Sequence, residues 1–138
     1  MADRQLSGSD IQDLINHIED FGTGLKREDL AYIEGADAVW EYICHTRACN
    51  PEKRLEYAIE EIIGLGQPDL LDGVNYLVLI VSSPEHQLLM KELPQVGVII
   101  NHLQQYGEVT FDFGTKEGLG TEVEVLIIRS KMRQLLFE

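Results

Sequence analysis

Apolar positions recur at helical spacing near the start of the chain, where Ile11, Leu14, Ile15, Ile18 and Phe21 fall on one face. The spacing predicts a helix beginning at Ser9, with Ser9 as its cap and Gln12 completing a capping box. Gly22 and Gly24 end it. Residues 23–37 are mixed and polar and read as a loop, with a helical turn near Glu28 to Ile33. Ala38 to Thr46 is rich in aromatic and β-branched residues and reads as a strand. Trp40, Tyr42 and Cys44 share one of its faces, and Val39, Glu41 and Ile43 the other.

Asn50-Pro51 opens a second helix, with Leu55, Ala58, Ile59, Ile62 and Ile63 as its buried stripe and Gly64 and Gly66 at its end. Val74 to Val81 is almost wholly apolar, as in a central strand covered on both faces. A third helix spans Lys91 to Tyr106, with Val96, Ile99, Ile100 and Leu103 inward and Pro94 in its first turn. Glu108 to Phe113 alternates, with Val109, Phe111 and Phe113 on one face. Thr121 to Arg129 is the last strand, expected to form a hairpin with the one before it. The order predicts an α+β domain of two layers, a mixed four-stranded sheet with helices packed mainly on one face. Leu77, Leu79, Ile59, Ile100 and Ile127 are its expected core.

Composition agrees with one such domain. The 138 residues are 44% apolar and 25% charged, which is ordinary globular usage. A chain of this length buries roughly two thirds of its unfolded surface without disulfides or metals. The net charge of −13, from 24 acidic and 11 basic residues, argues against nucleic acid and anionic membranes as partners. Met1 to Gly8 has no apolar run, and the longest one, Tyr76 to Val81, is too short to span a bilayer. A cytoplasmic setting is therefore expected, with Cys44 and Cys49 unlinked.

Candidate chemistry is sparse. No Walker pattern and no dinucleotide fingerprint is present, and Gly22-Thr23-Gly24 follows a helix where a phosphate loop would precede one. Cys44, His45 and Cys49 lack metal-ligand spacing, so a core cysteine and an exposed histidine are expected, with neither metal nor cofactor. Asp10 and Asp13 stand at i and i+3 in the first turn of the first helix. Complementing the helix dipole explains them as a pair.

Several segments in order resemble the C-terminal domain of FtsZ, the bacterial tubulin homologue. KRLEYAIEEII at Lys53 to Ile63 is similar to the family's RAEEAAEMAI helix. Asp72-Gly73-Val74 leading into Leu77 to Val81 resembles the strand that follows it. Lys91-Glu92-Leu93 with Val96-Gly97 and Ile100 resembles the DEF…VG…I helix. Phe113-Gly114-Thr115 resembles the IGT that ends the next strand, and Glu122 to Ile128 the final strand. Asp10-Ile11-Gln12-Asp13-Leu14 is similar to DFADV, the family's synergy loop and the helix after it.

The resemblance implies a single domain over 1–138, with a synergy-loop-like helix at 1–22, an insertion at 23–37, sheet and helices at 38–130 and a tail at 131–138. It implies an interaction and assembly domain, not an enzyme by itself. Its partner would be a tubulin/FtsZ-type GTPase domain or another copy of the chain. Asp10 and Asp13 would then enter the partner's nucleotide pocket and orient the attacking water. Simple capping remains open beside that role. The family's Asn two residues before the first Asp is replaced by Gly8 or Ser9. The glycine-rich tubulin signature is missing, so the chain is not expected to bind GTP unaided. A small oligomeric ligand-binding or enzyme domain on a similar fold is the alternative.

Overall fold

The computed structural model describes residues 4–22, 24–25, 27–45, 53–64 and 74–131. The elements in chain order are β1 (Arg4–Gln5), α1 (Gly8–Asp20), a 3-10 turn (Arg27–Leu30), α2 (Ala31–Glu34), β2 (Ala38–His45) and α3 (Arg54–Gly64). They continue with β3 (Val74–Ser82), a 3-10 turn (Met90–Glu92), α4 (Leu93–Gln104), β4 (Glu108–Thr115) and β5 (Val123–Lys131). The expected α+β domain with its mixed sheet is present. The four expected strands are joined by the two-residue β1 at one edge, in the order β1-β2-β5-β3-β4. The expected helix start at Asn50-Pro51, Cys49 and the tail beyond Lys131 lie outside the described residues.

The expected hairpin between the last two strands does not form. β5 lies between β2 and β3, antiparallel to both, and β4 pairs parallel with β3 at the opposite edge from β1. Burial explains the order. Every residue of β5 from Val123 to Ser130 is buried, which only a strand covered on both faces and flanked on both sides achieves. In β4, Glu108, Thr110 and Phe111 are exposed, as on an edge. A strand joined to β3 by a crossover helix runs parallel to it, and α4 is that crossover.

Strand alternation divides the core in two. Tyr76, Val78 and Ile80 of β3, with Val123, Val125 and Ile127 of β5, face α3 and α4. Leu77, Leu79 and Val81, with Leu126 and Ile128, face α1 and the short helical segments at 27–34. The paired helices α3 and α4 make one layer, and α1 covers the other face. Of the expected core residues, Ile59 is half-buried at the margin, and the other four are buried. Ile63 is exposed, because it stands beyond the stripe that Leu55, Ala58 and Ile62 turn inward.

The cap of α1 lies two residues earlier than the sequence suggests. Ser7 has extended backbone, its Oγ accepts the Asp10 N–H at 3.3 Å, and Asp10 Oδ2 accepts the Ser7 N–H at 3.3 Å. Gly8 and Ser9 are taken into the helix, and Asp10 replaces Gln12 as the reciprocal partner. At the other end Gly22 takes the left-handed conformation, φ 69°, that closes a helix.

Leu79 is fully buried in the central part of β3. Leu79→Ala is expected to lower unfolding stability by about 2–5 kcal/mol. A chemical denaturation midpoint unchanged by the substitution would contradict this packing.

Candidate functional site

α3 begins with Arg54, one helical turn before Ala58 and two before Ile62, so its side chain enters the core on the apolar stripe. Arg54 is 2% exposed and Glu92 is 1% exposed. The two form a bidentate pair, Nε to Oε2 at 2.8 Å and Nη2 to Oε1 at 2.9 Å. Nη1 donates to the carbonyls of His86 at 2.9 Å and Thr121 at 3.3 Å, and Nη2 also donates to that of Gln87 at 3.2 Å. All five guanidinium donors therefore have protein acceptors. Glu92 Oε1 additionally accepts the Leu89 N–H at 2.9 Å. Ser83 Oγ donates to the Gly120 carbonyl at 2.8 Å and ties the same loop to the β4–β5 connection.

This network shapes the segment between β3 and α4. Residues 84–92 wall two adjacent cavities, of about 430 Å³ over the Arg54–Glu92 pair and about 300 Å³ on the other side. The second opens at the carboxyl ends of the two parallel strands, between Ser82 of β3 and Phe113 to Thr115 of β4, with Gly22 at the end of α1 as a further wall. Ligands of sheets with parallel strands favour that position. Its lip is apolar. Leu89 is 49% exposed, Met90 82% and Leu93 39%. The Phe113 ring lining the cavity makes an edge-to-face contact with Phe111, at a 6.0 Å centroid separation.

The predicted candidates Asp10 and Asp13 lie elsewhere. Because α1 begins at Gly8, Asp10 alone stands in its first turn, and Asp13, expected there too, falls in the second; the helix that separates Asp10 from Gly22 is about 18 Å long. Asp10 is half-buried in the capping box, and Asp13 is exposed. Cys44 is buried against α3, as expected of a core cysteine. Burial pushes its thiol up to about 12, helped by a hydrogen bond to Glu61 and by that carboxylate's charge. Glu61 also accepts the Tyr42 hydroxyl at 2.8 Å. No group of metal-ligating side chains is present among the described residues, and no helix among them is long and apolar enough to cross a membrane.

Sequence reasoning passed over Arg54 and Glu92, although a signal existed. Arg54 precedes Ala58 by four residues, and Glu92 precedes Val96 by four. Each is a charged residue one turn before an inward apolar residue, and so in the register of the buried stripe. Opposite charges in that place on two helices joined to neighbouring strands are what a buried pair requires.

Burial alone would raise the Glu92 carboxyl, but the Arg54 guanidinium and the Leu89 N–H outweigh it and hold it below the ordinary value of 4.5. The stability that this group contributes is therefore fully present above about pH 4.5 and lost as pH falls through the lower value of the folded state. Glu92→Gln leaves a buried guanidinium without its counter-ion and is expected to cost about 3–5 kcal/mol near neutral pH. The difference from the parent should shrink in acid, which denaturation midpoints from pH 7 to pH 3 would measure. Cys44 is expected to resist thiol reagents in the folded chain and to label on unfolding, read by mass mapping.

Comparison with protein-family models and with curated proteins finds no match to this chain.

Proposed function

We propose that this domain is an interaction and assembly module of the FtsZ cell-division class, acting through contact with a partner protein in the bacterial cytoplasm and not through chemistry of its own. The apolar lip carries this reading. Three large apolar side chains, Leu89, Met90 and Leu93, are exposed within five residues beside an open cavity. Clustered exposure of this kind marks a contact surface. The charged pair beneath the lip supports the same view. With every guanidinium donor held by protein acceptors, Arg54 serves to hold the lip and offers nothing to a substrate. The ordered resemblance over residues 50 to 130 supplies the class, and a tubulin-type GTPase domain is the partner it implies.

In this reading the amino end of α1 supplies Asp10 and Asp13 to the partner's GTP site, where a carboxylate orients the attacking water. The exposure of Asp13 supports such a role. A second reading has one observation in its favour. The cavity of about 300 Å³ at the carboxyl ends of β3 and β4 is large enough for a small molecule, as in a ligand-binding domain.

The isolated chain is expected to show no binding of GTP by calorimetry, and micromolar affinity would overturn the assignment. Mixed with the nucleotide-binding domain of an FtsZ, it is expected to bind and to raise the rate of GTP hydrolysis. Met90→Asp should weaken that binding by about tenfold or more. Asp10→Asn with Asp13→Asn should leave the melting transition nearly in place, each costing about 1 kcal/mol or less, and should abolish the stimulation. No binding to, and no stimulation of, the GTPase domain would overturn the reading.

A further inference from the structure

We infer that the outer edge of β4 receives an extended cationic segment of the partner as an added strand; this rests on the interaction reading above and names the surface and chemistry of the contact. Among the described residues β4 pairs with β3 on one side only. The carboxyl end of its outer edge is already closed. The Thr115 N–H donates to the Phe21 carbonyl at 2.8 Å, and the Phe113 N–H to Asp112 Oδ1 at 2.8 Å. Main-chain groups alternate in direction along a strand, so the amides of Val109 and Phe111 point outward as well. Among the described residues no turn, loop or side-chain hydrogen bond meets them. An edge with free amides beside an exposed aromatic ring is a template for strand addition.

The side chains on the two faces of this edge define the occupant. Phe111 is 45% exposed and in ring contact with Phe113, so an apolar strip runs from the cavity to the edge on the α4 face. Glu108, Thr110 and Asp112 alternate with it on the other face; the half-buried Asp112 carboxylate already accepts the Gly24 and Phe113 N–H groups at 2.8 Å each, so Glu108 is the exposed acid there. A segment with apolar residues at every second position and Lys or Arg between them matches both faces. A second copy of the chain is a poorer match. Antiparallel pairing of two β4 edges about Thr110 would set Glu108 directly opposite the other copy's Asp112, twice, and the registers about Val109 or Phe111 offer neither acid a cationic partner. The net charge of −13 acts in the same direction against self-association and toward a basic partner.

The test uses a synthetic octapeptide alternating Lys and Val, with the Glu–Val octapeptide as control, titrated into the full chain and followed by fluorescence anisotropy and amide exchange. The Lys–Val peptide is expected to bind, the Glu–Val peptide is not, and exchange at Val109 and Phe111 should slow by about tenfold or more. Val109→Pro removes an outward amide without touching the ladder to β3 and should weaken binding by about tenfold or more. Where that variant fails to fold, Glu108→Lys, at an exposed position, should weaken it through charge alone. Absence of binding by the parent at about 1 mM peptide, or binding unchanged by the substitutions, overturns the inference. A dimer of the parent in sedimentation that Val109→Pro dissolves overturns it in favour of a second copy. A chain that binds the GTPase domain through its lip but ignores the Lys–Val peptide loses only this inference, whereas loss of GTPase-domain binding overturns the reading beneath it.

Discussion

A guanidinium and a carboxylate, each withdrawn almost fully from water, hold together three parts of the chain that are distant in sequence. Arg54 comes from the start of α3, Glu92 from the turn that leads into α4, and the carbonyl acceptors from the 86–87 loop and the β4–β5 connection at Thr121. Removing two charges from water costs several kcal/mol per ion, which the bidentate geometry and the saturated donors offset. The arrangement is therefore sensitive to the loss of one member, since the other is then buried alone. Glu92 also accepts the Leu89 N–H, which fixes the turn and turns Leu89 and Met90 outward to form the lip. The exposed apolar surface at the end of the sheet depends on a polar cluster beneath it.

The sheet order decides which surfaces are available to partners. β5 is buried along its length and occupies the centre, so β4 is displaced to an edge. That edge carries acidic side chains on one face and aromatic ones on the other, while its carboxyl end is closed by Phe21 and by the Asp112 side chain. The lip, the cavity and the edge form one continuous end of the domain, joined by the Phe111–Phe113 ring contact. The amino end of α1, with Asp10 and Asp13, lies about 18 Å away along its helix. A partner engaging both would have to span that length.

Local periodicity, with its turn and cap residues, determined the number and kind of the main elements and most of the inward faces. The α1 stripe, the apolar run of β3, the first-turn Pro94 in α4 and the core position of Cys44 all follow from spacing and side-chain chemistry. The cap of α1 was legible only approximately, because Ser7 and Ser9 are both good caps and the choice depends on which residue has extended backbone. Strand order was not legible. Adjacent strands joined by a glycine-bearing connection favour a hairpin locally, but the fully buried side chains of β5 gain more by lying between β2 and β3. Such a choice compares burial across the whole sheet, which no short window of sequence contains. The pairing of Arg54 with Glu92 belongs to the same class, since the register of each hints at burial but the two are 38 positions apart and nothing local names the partner. What the sequence by itself determined is what neighbouring residues can settle among themselves. What only the tertiary structure decided is which surfaces lose water, and with that the central strand, the free edge, the buried charge and the exposed lip.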